Sequence, residues 1–153
     1  MTLPGESPLV NILLVEDNPG DARLIREVFG ETGLRHQLSV VMDGEAAMDF
    51  LRKDGRFSDA LQTDLLLLDL NLPKKNGLEV LMEVKQDRQL RHIPVVILSS
   101  SDAEKDIRAG YDRHASAYIT KPANLDLFIE AVRTIKDFWL EIASLPVERN
   151  EAA

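Results

Sequence analysis

The sequence predicts a doubly wound α/β fold with a central sheet of five parallel strands. Three observations predict it. Five short apolar segments recur at wide intervals: "LVNILLVE" (9–16), "HQLSVVM" (36–42), "DLLLLDL" (64–70), "IPVVILSS" (93–100) and "ASAYIT" (115–120). The first, third and fourth barely alternate with polar residues, as strands covered on both faces do. Between and after them lie five segments with helical periodicity, so the order is strand then helix, five times over. Right-handed crossovers leave few ways to connect such a chain. Its 153 residues suffice for one domain with a real core.

The first helix is expected within "PGDARLIREVFGETG", with Asn18 as N-cap, Pro19 at the first helical position and Gly33 ending it. "GEAAMDFLRKDG" and "GLEVLMEVKQD" place apolar residues three and four apart and predict the second and third helices. "SDAEKDIRAGYDRH" opens with Ser101 and has Glu104 three residues later, which predicts a capping box for the fourth. "NLDLFIEAVRTIKDFWLEIASL" is the longest; from Leu125 to Leu145 it would span ~30 Å. "RKDGRFSDALQTD" (52–64) reads as a polar loop, and residues 1–8 and 146–153 as loose ends around a domain over 9–145.

Composition narrows the function. The net charge of -8 argues against a general nucleic-acid binder, whose phosphate contacts need a basic surface. The absence of cysteine excludes disulfides and thiolate metal sites and fits a reducing cytoplasm. The N-terminus "MTLPGESP" lacks the basic and apolar parts of a signal peptide, and no apolar run approaches the ~20 residues that span a bilayer.

The chemistry is expected at one rim. Parallel strands share a carboxyl edge, where such folds bind ligands. Four leucines in "DLLLLDLNLPKKNG" read as a buried strand, yet it delivers Asp69 at its tip, followed by Asn71. The first strand ends in Glu16-Asp17, the fourth in Ser99-Ser100-Ser101, the fifth in Thr120-Lys121-Pro122. Clustered carboxylates resist ionisation unless a cation intervenes. Oxygen ligands on a rigid rim suit Mg²⁺. Metal, lysine and hydroxyl together form a cage for a phosphoryl group, with an aspartate as nucleophile. Singly, each residue has a duller role: Asp17 as a helix cap, Ser99–Ser101 as a loop, Lys121 as a surface lysine, Tyr118 as core packing. The histidines His36, His92 and His114 are scattered and read as structural or solvated. The joint pattern outweighs the separate readings.

"LLVEDN", "LLLLDLNLPKKNG", "PVVILSSS" and "YITKP", in this order on the expected strand ends, resemble the response-regulator receiver domain of two-component signalling, over roughly residues 9 to 143. The resemblance implies a flavodoxin-like (βα)5 fold with strand order 2-1-3-4-5. It makes Asp69 the phosphoacceptor. Asp17, Asp69 and the Asn71 backbone carbonyl would bind Mg²⁺, with Glu16 supporting through water. Ser99 and Lys121 would hold phosphoryl oxygens, and Tyr118 would be the aromatic switch. A cis Lys121–Pro122 bond is also implied. "VEDNPGDARLI", "YDRHASAYITKPAN" and the final "FWL" are similar to stand-alone regulators partnered with bacterial phytochromes. Receivers usually carry a small residue where His114 stands, and the sequence assigns it no role.

Other classes fit less well. A flavodoxin-like cofactor binder needs a Ser/Thr/Gly-rich phosphate loop after the first strand, and "VEDNPGD" is acidic. An aspartyl-intermediate phosphatase usually has a second aspartate where Asn71 stands. The expected function is therefore phosphoryl acceptance from a histidine kinase, which is not enzymatic turnover in the usual sense; the alternative is a phosphorelay intermediate or phosphate sink. With the chain used up by the receiver, output is expected through a surface. The apolar arc of the last helix is roughly 160° wide, more than sheet packing needs, and Phe138, Trp139 and Ile142 lie late on it. That suggests a homodimer through the fourth helix, fifth strand and fifth helix, unless these residues merely cover the first helix or the sheet edge.

Overall fold

The computed structural model describes residues 9–146. Of the loose ends expected at 1–8 and 146–153, all but Pro146 lie outside the described residues. Five strands, β1 (Val10–Val15), β2 (His36–Val41), β3 (Leu65–Leu68), β4 (Val95–Ser99) and β5 (Ala117–Thr120), form one sheet in the order β2-β1-β3-β4-β5. Every pairing is parallel. Five helices alternate with them: α1 (Pro19–Phe29), α2 (Gly44–Arg52), α3 (Gly77–Gln86), α4 (Glu104–Asp112) and α5 (Leu125–Lys136). Among the described residues no helix is long and apolar enough to cross a membrane.

Period-two alternation splits the core in two. Leu13, Val15, Leu66, Leu68, Val95 and Ile97 face α2 and α3. Ile12, Leu14, Leu65, Leu67, Val96 and Leu98 face α1 and α5. This is why β1, β3 and β4 read as nearly continuous apolar runs: both faces of each are covered.

Short polar residues start the helices. Asn18, with Pro19 behind it, accepts the Asp21 N–H at 3.1 Å, and Asp43 accepts the Ala46 N–H at 2.7 Å. Asn76 and Glu79 form a reciprocal capping box on α3, and Asn124 accepts the Leu127 N–H at 3.1 Å. Each such cap satisfies an otherwise orphaned donor and is typically worth ~1 kcal/mol.

Four details differ from the sequence reading. First, α1 ends at Gly30, not Gly33, because the chain tightens into successive short turns and the Thr32 hydroxyl takes the Leu34 N–H. Second, Ser101 and Glu104 form no capping box. Ser101 donates to Asp106 at 2.5 Å, so α4 begins at Glu104 with Ala103 before it. Third, the last helix is not continuous to Leu145. It widens into a π-helix over Asp137–Ile142, closed by the Ala143 N–H on the Phe138 carbonyl. Leu145 precedes Pro146, which disfavours helical backbone there. Fourth, the Lys121–Pro122 bond is not cis.

His114 follows the C-terminus of α4 with a φ of +69°. Its N–H donates to the Tyr111 carbonyl, and the next residue's N–H reaches Gly110. A left-handed residue at a helix end is normally glycine, and a side chain there costs roughly 1–2 kcal/mol. Histidine is among the residues that tolerate it best. His114→Gly is therefore expected to raise stability by roughly 0.5–1 kcal/mol in urea unfolding, after the greater freedom of unfolded glycine is subtracted. A destabilised variant would show that the imidazole itself holds something.

Candidate phosphoryl-transfer site

The backbone delivers the site. The Asp69 N–H donates to the Val15 carbonyl at 3.1 Å, tying the tip of β3 to the tip of β1. The Glu16 N–H donates to Val41, and the Lys121 N–H donates to Ser99 at 2.7 Å, so β5 is tied to β4 where both end. Over Asp69 the first turn of α3 sits very close. A Cβ on Gly77 would lie 2.2 Å from the Asp69 carbonyl oxygen, so only glycine lets the helix start there.

Four predicted residues meet. The Lys121 ammonium lies 2.5 Å from Glu16 Oε1 and 3.2 Å from Asp69 Oδ2. Carboxylate oxygens of Glu16, Asp17 and Asp69 lie within 4.8 Å of one another. Glu16 and Asp69 are buried, while Asp17 is exposed. The remaining acceptors are also engaged: Glu16 Oε2 takes the Asn18 N–H at 3.2 Å, and Asp69 Oδ1 takes the Asn71 N–H at 3.2 Å. This accounting is what buried carboxylates require.

Burial and charge oppose each other at the site. Burial is the largest influence on Glu16 and lifts its pKa to about 7, against the opposing pull of Lys121. Burial presses the Lys121 ammonium down, but its contacts with Glu16, Asp21 and Asp69 more than offset this and raise it. Acid and base alike hold their protons more tightly than usual. A pocket where carboxylates outnumber the one lysine is short of positive charge, which a divalent cation would supply. Three convergent carboxylates, all oxygen donors, fit such an ion.

The other predicted residues lie at the margin. Asn71 is exposed beside Asp69. Ser99 closes β4, fully buried, and its hydroxyl accepts the Ser101 N–H at 3.3 Å. Alternation puts it on the same face as Ile97, whose register partner is Tyr118. The Tyr118 hydroxyl donates to the Ser101 carbonyl at 2.8 Å, and its backbone N–H donates to the Tyr111 hydroxyl at 3.1 Å. Its ring lies against Gly110, where a Cβ would come within 3.2 Å. Tyr118 thus touches the loop after β4 and two consecutive residues of α4.

One residue escaped the sequence reading. Asp21, in the first turn of α1, places Oδ2 3.0 Å from the Lys121 ammonium. The signal was available: α1 starts straight after the tip of β1, and a residue three past the Asn18 cap stays close to the rim.

Residues 12–133 match the response regulator receiver domain. Response regulator Rcp1 of Synechocystis sp. is 47% identical over 135 residues, which is 88% of this chain and 92% of that protein. The crystal structure of the Mn(2+)-bound form of Rcp1 aligns at a TM-score of 0.88 and 46% identity, over 90% of this chain and 99% of the other. The phosphorylated cyanobacterial phytochrome response regulator RcpA aligns at 0.89 and 48%, over 92% and 100%. With the parallel 2-1-3-4-5 sheet and the acidic rim already described, these matches establish that the chain belongs to the response regulator receiver domain family.

Proposed function

We propose that this receiver takes a phosphoryl group from a histidine kinase onto Asp69 and changes its binding surface in response. The observation that carries the reading is the Lys121 ammonium, from the tip of β5, in contact with both Glu16 of β1 and Asp69 of β3. An Asp69 oxygen attacks phosphorus as the bond to the donor's imidazole nitrogen breaks, and the electron pair returns to that ring. A carboxylate attacks as its anion, so no general base is required. Lys121 stabilises charge on the phosphoryl oxygens, and Ser99 donates its hydroxyl to one of them; catalysis is positioning and electrostatics. The carboxylates of Glu16, Asp17 and Asp69 and the Asn71 backbone carbonyl would hold Mg²⁺, Glu16 through water; when bound, the ion neutralises charge on acceptor and phosphoryl group.

Phosphorylation adds about -1.5 to -2 charges at the rim. The contacts of Tyr118 with Ser101, Gly110 and Tyr111 make it the residue that carries this change to α4 and β5. The likeness to RcpA supports a phytochrome-class histidine kinase as the cytoplasmic partner. Output is through protein contact, in keeping with a net charge of -8. The apolar stripe of the last helix divides: Trp139 and Leu140 pack toward the core, while Phe138 is 46% and Ile142 72% exposed. The exposed pair, with β5 at the sheet edge, supports a homodimer through α4, β5 and α5. A purely monomeric protein in sedimentation, phosphorylated or not, would sink the dimer. The test of the chemistry is incubation with Mg²⁺ and a small phosphodonor. A hydroxylamine-labile acyl phosphate is expected, and continuous rapid turnover of the donor would point to a phosphatase.

A further inference from the structure

The Lys121 ammonium has three N–H bonds to give, and three carboxylates are within reach: Glu16 at 2.5 Å, Asp21 at 3.0 Å and Asp69 at 3.2 Å. Glu16 and Asp69 belong to the phosphoryl-transfer site. Asp21 belongs to the first turn of α1, and its side chain is the most open of the three, 33% exposed against 2% and 9%. We propose that Asp21 is a positioning residue that competes with the phosphoryl group for Lys121, and so lowers the affinity of the receiver for its own phosphorylation. The inference rests on Asp69 being the phosphoacceptor.

Donor supply sets the competition. With all three donors committed, a phosphoryl oxygen beyond Asp69 gains Lys121 only if the ammonium loosens another contact. Releasing Glu16 would strand a buried carboxylate, which is costly. Releasing Asp21 costs much less, because water can replace the lysine at its exposed edge. Asp21 is therefore the contact that yields. Its carboxylate is not part of the α1 cap: the backbone N–H makes that bond, to Asn18 at 3.1 Å. The cap instead anchors the turn so that the carboxylate stays beside the lysine.

The test uses fluoroberyllate, a phosphoryl mimic, titrated with Mg²⁺ present and followed by fluorine NMR. Asp21→Asn keeps the backbone cap and the side-chain size and removes the charge. It is expected to bind fluoroberyllate about 3- to 10-fold more tightly, a gain of roughly 0.7–1.4 kcal/mol. In a Lys121→Met background the same substitution is expected to leave fluoroberyllate binding as weak as it was. An unchanged affinity in the single variant would overturn the proposal. So would an equal recovery without the lysine, which would mean simple charge repulsion. If the unsubstituted protein bound no fluoroberyllate, the phosphoacceptor reading would fall first; if it bound and Asp21→Asn behaved the same, only the role of Asp21 would fall.

Discussion

Asp69→Asn is expected to abolish phosphoryl acceptance, leaving no detectable acyl phosphate after incubation with Mg²⁺ and a small phosphodonor. The amide lacks the anionic oxygen that attacks phosphorus, and no neighbour can replace it. Glu16 is buried and held by Lys121 and the Asn18 N–H. Asp17, exposed just after β1, sits in the same carboxylate cluster, where its proposed part is to hold the metal and not to attack. The fold should survive, because Asn has the size of Asp and can still accept the Asn71 N–H that Asp69 Oδ1 takes at 3.2 Å. Intact-mass measurement reads the outcome directly as the presence or absence of one added phosphoryl group. Labelled phosphate entering the variant at the unsubstituted rate would remove Asp69 from the mechanism and the main support for the proposed function.

Lys121→Ala should have the largest effect on stability. The lysine side chain is 9% exposed and touches Glu16 and Asp69, which are as buried or more so. Removing one member of a buried ionic group typically costs ~3–5 kcal/mol, because the remaining charges are left unpaired. Protonation of Glu16 limits the loss, so about 3 kcal/mol is expected near neutral pH without divalent cation. Millimolar Mg²⁺ should restore part of it by mass action on the folded state.

The pH dependence follows from Glu16, whose pKa rises from its ordinary 4.5 to about 7 in the folded protein. Between these values the folded protein holds a proton that the unfolded chain has released. The Glu16 contribution to stability is therefore complete below about 4.5 and is lost as pH rises through about 7. In the alanine variant the partner that lowers the Glu16 pKa is gone, so the loss should continue to higher pH. Thermal melts from pH 5 to 9, with and without Mg²⁺, measure both effects. A variant as stable as the parent at every pH without metal would mean that Lys121 does not hold the cluster together.

Much of this was readable along the chain because it follows from periodicity and topology. Unbroken apolar runs separated by helical patterns require a parallel sheet with both faces covered. A parallel sheet brings every strand's carboxyl end to one edge. Glu16, Asp17, Asp69, Ser99 and Lys121 could therefore be assigned to one rim from the parallel topology alone. The Asn18 and Pro19 start of α1 was equally local, since a cap involves only three or four consecutive residues.

The remaining details depend on contacts between residues far apart in sequence. Asp21 joins the site through an ammonium 100 residues away, and no local pattern measures that distance. Trp139 packs inward while its neighbour Phe138 faces solvent, within the π-helical stretch over Asp137–Ile142 that no local pattern announced. Ser101 left its expected cap for Asp106 and Tyr118, partners chosen by how α4 lies against β5. The sequence by itself determined which elements form and which residues reach the common rim. Only the tertiary structure decided the direction of each side chain there and what it touches, since those depend on long-range packing and on which polar partner is nearest once the chain has closed.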